Sequence, residues 1–317
     1  MLSIGSSSMD LHGLMLPIPT PFDPEGNFDR AAFRSNIHKW NTTGISGYVV
    51  LGSTGERVNL DAREYLEALE TARIEIPGGQ DGLTFIAGAG QQSTRGTINE
   101  VREAAARGAD AALVITPHFY RGAISKQALG AYYLNIADAA SIPIILYSMP
   151  DLTGVRIEPE TVAELSRHPN ILGIKDSSTD LAALRQTVKL VPDTFAVLTG
   201  NGTVLAEALR AGARGAILAV GCVAPHLAIA ILEAVEVHDD NRAADLQKEL
   251  TPLATAVTTQ YGIGGLKVAL DMIGYDGGAV RAPLQMPDSA ASTEIQLVLQ
   301  AALAATKGPL SHTTSQA

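Results

Sequence analysis

From residue 14 to about residue 235, short apolar runs alternate with amphipathic segments. The runs cover residues 14–19, 47–52, 83–88, 111–116, 144–147, 171–175, 195–199 and 215–220, eight in all. Continuous apolar runs of this length, bounded by turn residues, predict strands buried on both faces, as parallel sheets require. The segments between them open on residues that cap helix N-termini: Asp29, Asp61, Thr94, Ser125 and the pair Thr179-Asp180. Glycines 44, 108 and 212 follow the last periodic residues, where a glycine in a left-handed conformation ends a helix.

Eight strand–helix alternations with short connections predict an α/β fold, a (β/α)8 TIM barrel. A doubly wound open sheet would carry a glycine-rich nucleotide loop after its first strand. Here the first run ends in Pro17-Ile-Pro-Thr-Pro21, and neither G-x-G-x-x-G nor a Walker A pattern occurs in the chain. After about residue 235 the alternation stops, and residues 242–261, 265–273 and 292–306 read as helices without strands between them. The expected organisation is a loose N-terminal tail (1–10), the barrel (11–235), a C-terminal helical extension packed on it (236–306) and a disordered tail (307–317).

Composition narrows the function. A formal charge of −10 argues against nucleic acid or an anionic membrane as partner. No stretch has the ~18 apolar residues of a membrane span, and residues 1–9 lack the basic start and long apolar run of a signal peptide. The single cysteine, Cys222, lies in the small apolar run AVGCVAP and reads as a buried structural thiol in a protein of the reducing cytoplasm. The seven histidines are scattered without metal-ligand spacing, so no metal and no cofactor is expected.

In a barrel, chemistry sits at the C-terminal ends of the strands. The sixth run ends in Lys175, a residue type that seldom enters a core. Burial strips an ammonium of hydration and favours the neutral amine, the form that attacks a carbonyl to give a Schiff base. Tyr147 ends the fifth run. Adjacent parallel strands lie ~4.8 Å apart, so the two side chains would share one cavity as amine and proton donor. Alternation places Ile171, Gly173 and Lys175 on one face and Leu172 and Ile174 on the other, with Gly173 leaving room for a ligand. After the second run, Gly52-Ser-Thr-Gly-Glu56 offers two hydroxyls and backbone N–H groups suited to a small carboxylate. Glu56 reads as a cap for backbone amides, and Arg57 as a solvated residue or a contact for a second carboxylate. The loops at Gly200-Asn-Gly202 and Gly221 occupy the corner where some barrels bind phosphate, but neither carries lysine or arginine.

With these residues in view, the sequence resembles the pyruvate-dependent class I aldolases of the dihydrodipicolinate synthase and N-acetylneuraminate lyase superfamily. The resemblance rests on Gly52-Ser-Thr-Gly-Glu56, Val114-Ile-Thr-Pro117, Leu146-Tyr-Ser-Met-Pro150, Thr153-Gly154 and Gly173-Ile-Lys-Asp-Ser177, in the family's order and spacing. It implies a homotetramer in which Lys175 forms an imine with a 2-oxo acid and Tyr147 moves the proton, relayed by Ser53. It further implies that Thr54 and neighbouring amides, Gly55 included, bind the carboxylate and that Ile217 lines the site. Two departures stand out. Phe119 replaces a tyrosine of the proton relay, leaving Tyr120, His118 or water to substitute. Leu152 replaces the arginine with which the lysine-pathway synthase binds its aldehyde partner's carboxylate. Tyr120-Arg-Gly122, His168 through Asp176, and Tyr261 through Lys267 to Leu284 most resemble the 4-hydroxy-2-oxoglutarate aldolase branch. The expected activity is therefore cleavage or formation of a 4-hydroxy-2-oxo acid from small 2-oxo acid and aldehyde partners. The alternatives are dihydrodipicolinate synthase, a 2-keto-3-deoxy sugar acid aldolase or dehydratase, and a non-catalytic 2-oxo-acid binder.

Overall fold

A computed structural model describes residues 9, 11–79 and 82–306. The tail expected at 307–317 lies outside the described residues, as does the expected N-terminal tail apart from Met9. The apolar runs form β1 (Gly13–Pro17), β2 (Gly47–Val50), β3 (Thr84–Ala89), β4 (Ala111–Ile115), β5 (Ile144–Ser148), β6 (Ile171–Asp176), β7 (Ala196–Thr199) and β8 (Gly215–Ile217). Each pairs in parallel with the next, and β8 closes on β1 to complete the barrel. The helices around it are α1 (Arg30–Trp40), α2 (Ala62–Glu75), α3 (Thr94–Ala106), α4 (Lys126–Ala139), α5 (Pro150–Thr153), α6 (Pro159–Leu165), α7 (Leu181–Leu190), α8 (Leu205–Arg210) and α9 (Pro225–Glu236). Then follow α10 (Asp240–Thr255), α11 (Gly262–Met272) and α12 (Ser289–Ala305), with no strand between them.

Local chemistry sets the helix boundaries. Asp29, Ser125 and Asp180 accept from the third backbone N–H of their helices, and Asp61 forms a reciprocal capping box with Glu64. For α3 the cap is Ser93, which accepts from the Gly96 amide; Thr94, the expected cap, is instead the first helical residue. Glycines 44, 108 and 212 have φ of 79°, 77° and 106°, the left-handed ending their positions predict. In the C-terminal region α10 and α12 begin earlier than periodicity predicts, at caps Asp239 and Asp288. The helix expected from residue 265 starts at Gly262, and Gly265 lies inside α11, where a Cβ would press within 2.6 Å of Tyr261 Cβ.

Two shells of apolar packing hold the barrel. Between strands and helices lie large clusters that include Phe33, Ile37, Trp40 and Leu69 on one side and Tyr133, Ile136, Leu146 and Ile174 on the other. Inside the barrel, Met15, Val49, Ile86, Leu113, Ile145, Leu198 and Ile217 fill the floor beneath Tyr147. Burial of each such side chain contributes about 1.5–3 kcal/mol. Cys222 is fully buried, and burial pushes its thiol well above the usual range, which leaves it a poor nucleophile. Its carbonyl accepts from Trp40 Nε1 at 2.9 Å, and Trp40 stacks on Tyr275 with ring centroids 5.0 Å apart. No helix among the described residues is long and apolar enough to cross a membrane.

Candidate active site

Strand register brings the two sequence-predicted reactive groups together. Tyr147 and Lys175 are direct partners across β5 and β6 and are 4 % and 5 % exposed. Lys175 Nζ lies over the Tyr147 ring, 4.4 Å from its centroid. The path by which β6 arrives there differs from simple alternation. The register shifts between Ile144, which faces Ile171, and Ile145, which faces Gly173, so Leu172 is an extra residue in β6. Ile171 consequently joins Ile174 in the outer core, while Leu172 packs against the barrel interior. The faces expected for Ile171 and Leu172 are thus exchanged, and Lys175 is correct because the bulge lies below it. Nor does Gly173 leave ligand space: a Cβ there would sit 2.5 Å from the Ala196 carbonyl, so glycine permits β6 and β7 to approach.

The loop after β2 supplies the third group. Ser53 Oγ lies 3.4 Å from the Tyr147 hydroxyl. The loop is held in a strained shape: Leu51 and Glu56, at its two ends, both adopt left-handed backbone with φ of 61° and 52°. Within it the Gly55 and Glu56 amides donate to the Gly52 and Ser53 carbonyls. Among the described residues the Ser53 and Thr54 amides meet no acceptor. Gly55 has its own amide engaged in the turn, and a Cβ on it would press against Leu51 and the Ile18 carbonyl at 3.0–3.2 Å. Its place in the site is therefore steric. Glu56 is not a cap: its buried carboxylate pairs with Lys267 of α11 at 2.7 Å.

Two further residues bear on the site that sequence reading assigned elsewhere or missed. A Cβ on Gly200 would lie 2.6 Å from Lys175 Cε and closer still to Ser177 Oγ, so this glycine packs against the lysine and has no phosphate role on view. Gln247 of α10 accepts from the Ala206 amide and donates to the Gly202 carbonyl, both at 2.9 Å, bracing the loop after β7. The glycine was visible in the sequence; the glutamine, 45 residues from Gly202, gave no signal. Ile217, the last residue of β8, is fully buried among the interior residues beneath Tyr147.

Other candidates stand apart. Phe119 and Tyr120 are 73 % and 70 % exposed and pack edge-to-face on each other. His118 is engaged by Gln92, whose side-chain oxygen also accepts from the His118 and Phe119 amides. Leu152 is exposed on α5. Arg57 is neither solvated nor free for substrate: it forms an ion pair with Glu100 and lies 5.6 Å from the Tyr65 ring. That pair lines a separate groove of about 520 Å³ between α2 and α3, which contains none of Lys175, Tyr147 or Ser53. The arrangement at the barrel mouth thus offers an enclosed primary amine, a phenol beside it, a hydroxyl within reach of the phenol, and two amides without an acceptor among the described residues. That set suits imine formation, proton transfer and carboxylate binding.

Comparison with known proteins bears on this arrangement. The dihydrodipicolinate synthetase family model matches residues 10–302. A 4-hydroxy-tetrahydrodipicolinate synthase of Exiguobacterium sibiricum is 36% identical over 267 residues, covering 84% of this chain and 89% of that one. A dihydrodipicolinate synthase from Bacillus anthracis superposes with a TM-score of 0.87 at 26% identity, covering 92% of this chain and 98% of its own. YagE of E. coli K12, a prophage protein of the dihydrodipicolinic acid synthase family solved in complex with pyruvate, gives 0.85 at 28% identity over the same shares.

Proposed function

The chain belongs to the dihydrodipicolinate synthetase family, and on that premise we propose that it cleaves, or in reverse forms, a 4-hydroxy-2-oxo acid through an imine on Lys175. As a family member it is a pyruvate-dependent lyase, a class I aldolase. The observation that carries the imine chemistry is the buried pairing of Lys175 with Tyr147, with Ser53 Oγ 3.4 Å from the phenol; the choice of a 4-hydroxy-2-oxo acid rests on the sequence likeness and on Leu152.

In this reading the Lys175 amine attacks the C2 carbonyl of the substrate, and loss of water leaves a protonated imine. Tyr147 takes the proton of the C4 hydroxyl, the C3–C4 bond breaks, and its electron pair flows into the imine. An aldehyde leaves, an enamine remains, and Tyr147 returns the proton to C3. Hydrolysis then frees pyruvate and the lysine. The imine stabilises charge that develops only as the bond breaks, so it lowers the barrier rather than only tightening binding. Ser53 passes the proton between Tyr147 and the substrate, and the Ser53 and Thr54 amides hold the 2-oxo acid's carboxylate. Gly55 gives that turn its close fit, and Ile217 forms the apolar floor under C3. The same reading takes the chain as a homotetramer of the reducing cytoplasm, in keeping with its one buried thiol.

A second reading, the synthase of lysine biosynthesis, is favoured by the activity for which relatives such as the Exiguobacterium protein are named. Against it stands exposed Leu152, where that synthase carries a carboxylate-binding arginine. Borohydride reduction with pyruvate, followed by peptide mapping, tests the shared chemistry: a pyruvate adduct on Lys175 is expected, and its absence in folded protein sinks the aldolase reading. Turnover of 4-hydroxy-2-oxo acids against condensation of pyruvate with aspartate semialdehyde then separates the two.

A further inference from the structure

The turn that carries Ser53 and Thr54 is anchored from outside the barrel by one lysine of the C-terminal region. Lys267 of α11 is fully buried, and its ammonium has three donors. One meets Glu56 Oε1 at 2.7 Å, one the Thr20 carbonyl at 2.7 Å and one the Ala279 carbonyl at 2.5 Å. A single atom thereby joins the β1 loop, the end of the β2 loop and the segment after α11. Glu56 is engaged on its other oxygen as well, accepting from the Arg281 amide at 3.0 Å and from Asn59 Nδ2 at 3.2 Å. Thr20 completes the link by donating its hydroxyl to the Gly55 carbonyl at 2.7 Å. Phe22 closes the assembly, with Lys267 Nζ 4.7 Å and the Arg281 guanidinium 4.2 Å from its ring.

An ion pair with both partners at 0 % exposure is a poor device for stability alone, because the desolvation it demands cancels much of the attraction. What the arrangement supplies is direction. Glu56 sits at φ 52°, a backbone shape a glutamate does not choose unaided. Its carboxylate, gripped on both oxygens, holds that shape, and through it the turn whose Ser53 and Thr54 amides meet no acceptor among the described residues. We propose that Lys267 is a positioning residue: acting through Glu56, it sets the carboxylate-binding turn of the 2-oxo acid site. The inference rests on the aldolase reading above, which gives that turn its ligand.

Two variants test it. Glu56→Gln keeps the shape but cannot satisfy donors on both sides, since one amide end is itself a donor. Glu56→Gln/Lys267→Met removes both charges and leaves no unpaired ion, so it keeps the fold where Lys267→Met alone strands a buried carboxylate. The readout is borohydride trapping of Lys175 at graded pyruvate, beside melting temperature and the split between KM and kcat. Both variants should need at least tenfold more pyruvate for half-maximal trapping, with a smaller change in trapping rate at saturation. The double variant should show this even with its melting temperature near wild type. A purely structural role would let half-saturation recover as melting recovers. Wild-type half-saturation in either folded variant overturns the proposal while leaving the aldolase reading intact. No adduct in the wild-type protein fails the aldolase reading itself, and is a different result.

Discussion

Replacing Gly200 by alanine should disarm Lys175 while leaving the barrel standing. The backbone at Gly200 is not left-handed, so a methyl group brings no backbone strain and only its volume matters. That methyl would lie 2.6 Å from Lys175 Cε. Carbon atoms settle at about 3.5 Å or more, so the lysine must retreat by about 1 Å. The atoms in the way belong to the side chains of Lys175 and Ser177, and Ser177 Cβ, at 3.0 Å, can give only with its backbone, so the overpacking costs about 1–3 kcal/mol. In a chain of this size that lowers Tm by about 2–6 °C. The reaction is far more sensitive, since a misplacement of about 1 Å in a reacting group costs on the order of 10²-fold in rate. Stopped trapping with borohydride and pyruvate measures imine formation, a coupled assay measures kcat, and calorimetry measures Tm. Gly130→Ala is the control: on α4 a methyl meets nothing within 4 Å, so activity should hold and stability rise by about 0.5–1 kcal/mol. A Gly200→Ala protein that forms the imine and turns over within about twofold of wild type would refute the reasoning.

Three more outcomes follow from the same geometry. Tyr147→Phe should still yield an adduct on Lys175 but lose about 10²–10⁴ in kcat, the usual worth of a positioned proton donor; Ser53→Ala should lose less, its hydroxyl being 3.4 Å from the phenol, and equal losses would reject the relay. The Arg281 guanidinium holds the Glu64 carboxyl below the usual glutamate range. A carboxyl depressed by folding contributes stability that is fully present above its unfolded pKa of about 4.3 and is lost as pH falls through the lower folded value. Urea midpoints of wild type and Glu64→Gln should therefore differ at neutral pH and converge on acidification, and a gap independent of pH would count against the pairing. Finally, Leu152→Arg should raise turnover with aspartate semialdehyde relative to 4-hydroxy-2-oxo acids, and an unmoved ratio in steady-state assays would remove this position from specificity.

The barrel was legible because its determinants are local. Each strand announces itself as an apolar run between turn residues, and each of the helix starts at Asp29, Asp61, Ser125 and Asp180 needs only a side chain that reaches three residues ahead. Lys175 and Tyr147 were legible for the same reason: both end strands, and strand ends are where a parallel barrel collects its chemistry. The bulge at Leu172 was not, since an extra residue in β6 exists only relative to β5, and nothing in either strand alone reveals which residue is unpaired. Gly173 and Gly200 show the limit from another side. A glycine in a strand or loop signals close approach, but whether the neighbour is the Ala196 carbonyl or the Lys175 side chain depends on the register of β6 against β7.

Glu56 and Lys267 carry that argument furthest. They are 211 residues apart, and each alone reads as an ordinary charged residue at a helix start or on a helix face. The barrel needs no such pair to close, since its strands are complete from β1 to β8 before α10 begins. A loop at the barrel mouth, however, is tied only at its two ends, and the left-handed residues at Leu51 and Glu56 show that this one is held away from its relaxed shape. Strain of about 1–3 kcal/mol at each such residue persists only where surrounding contacts over-determine it. Here those contacts come from Thr20, Ala279, Arg281 and Lys267, three of the four from beyond the last strand. On this view the C-terminal region shapes the turn at the barrel mouth as well as covering the barrel, to which it contributes Leu250, Leu253, Leu266 and Ile295 of the shared core.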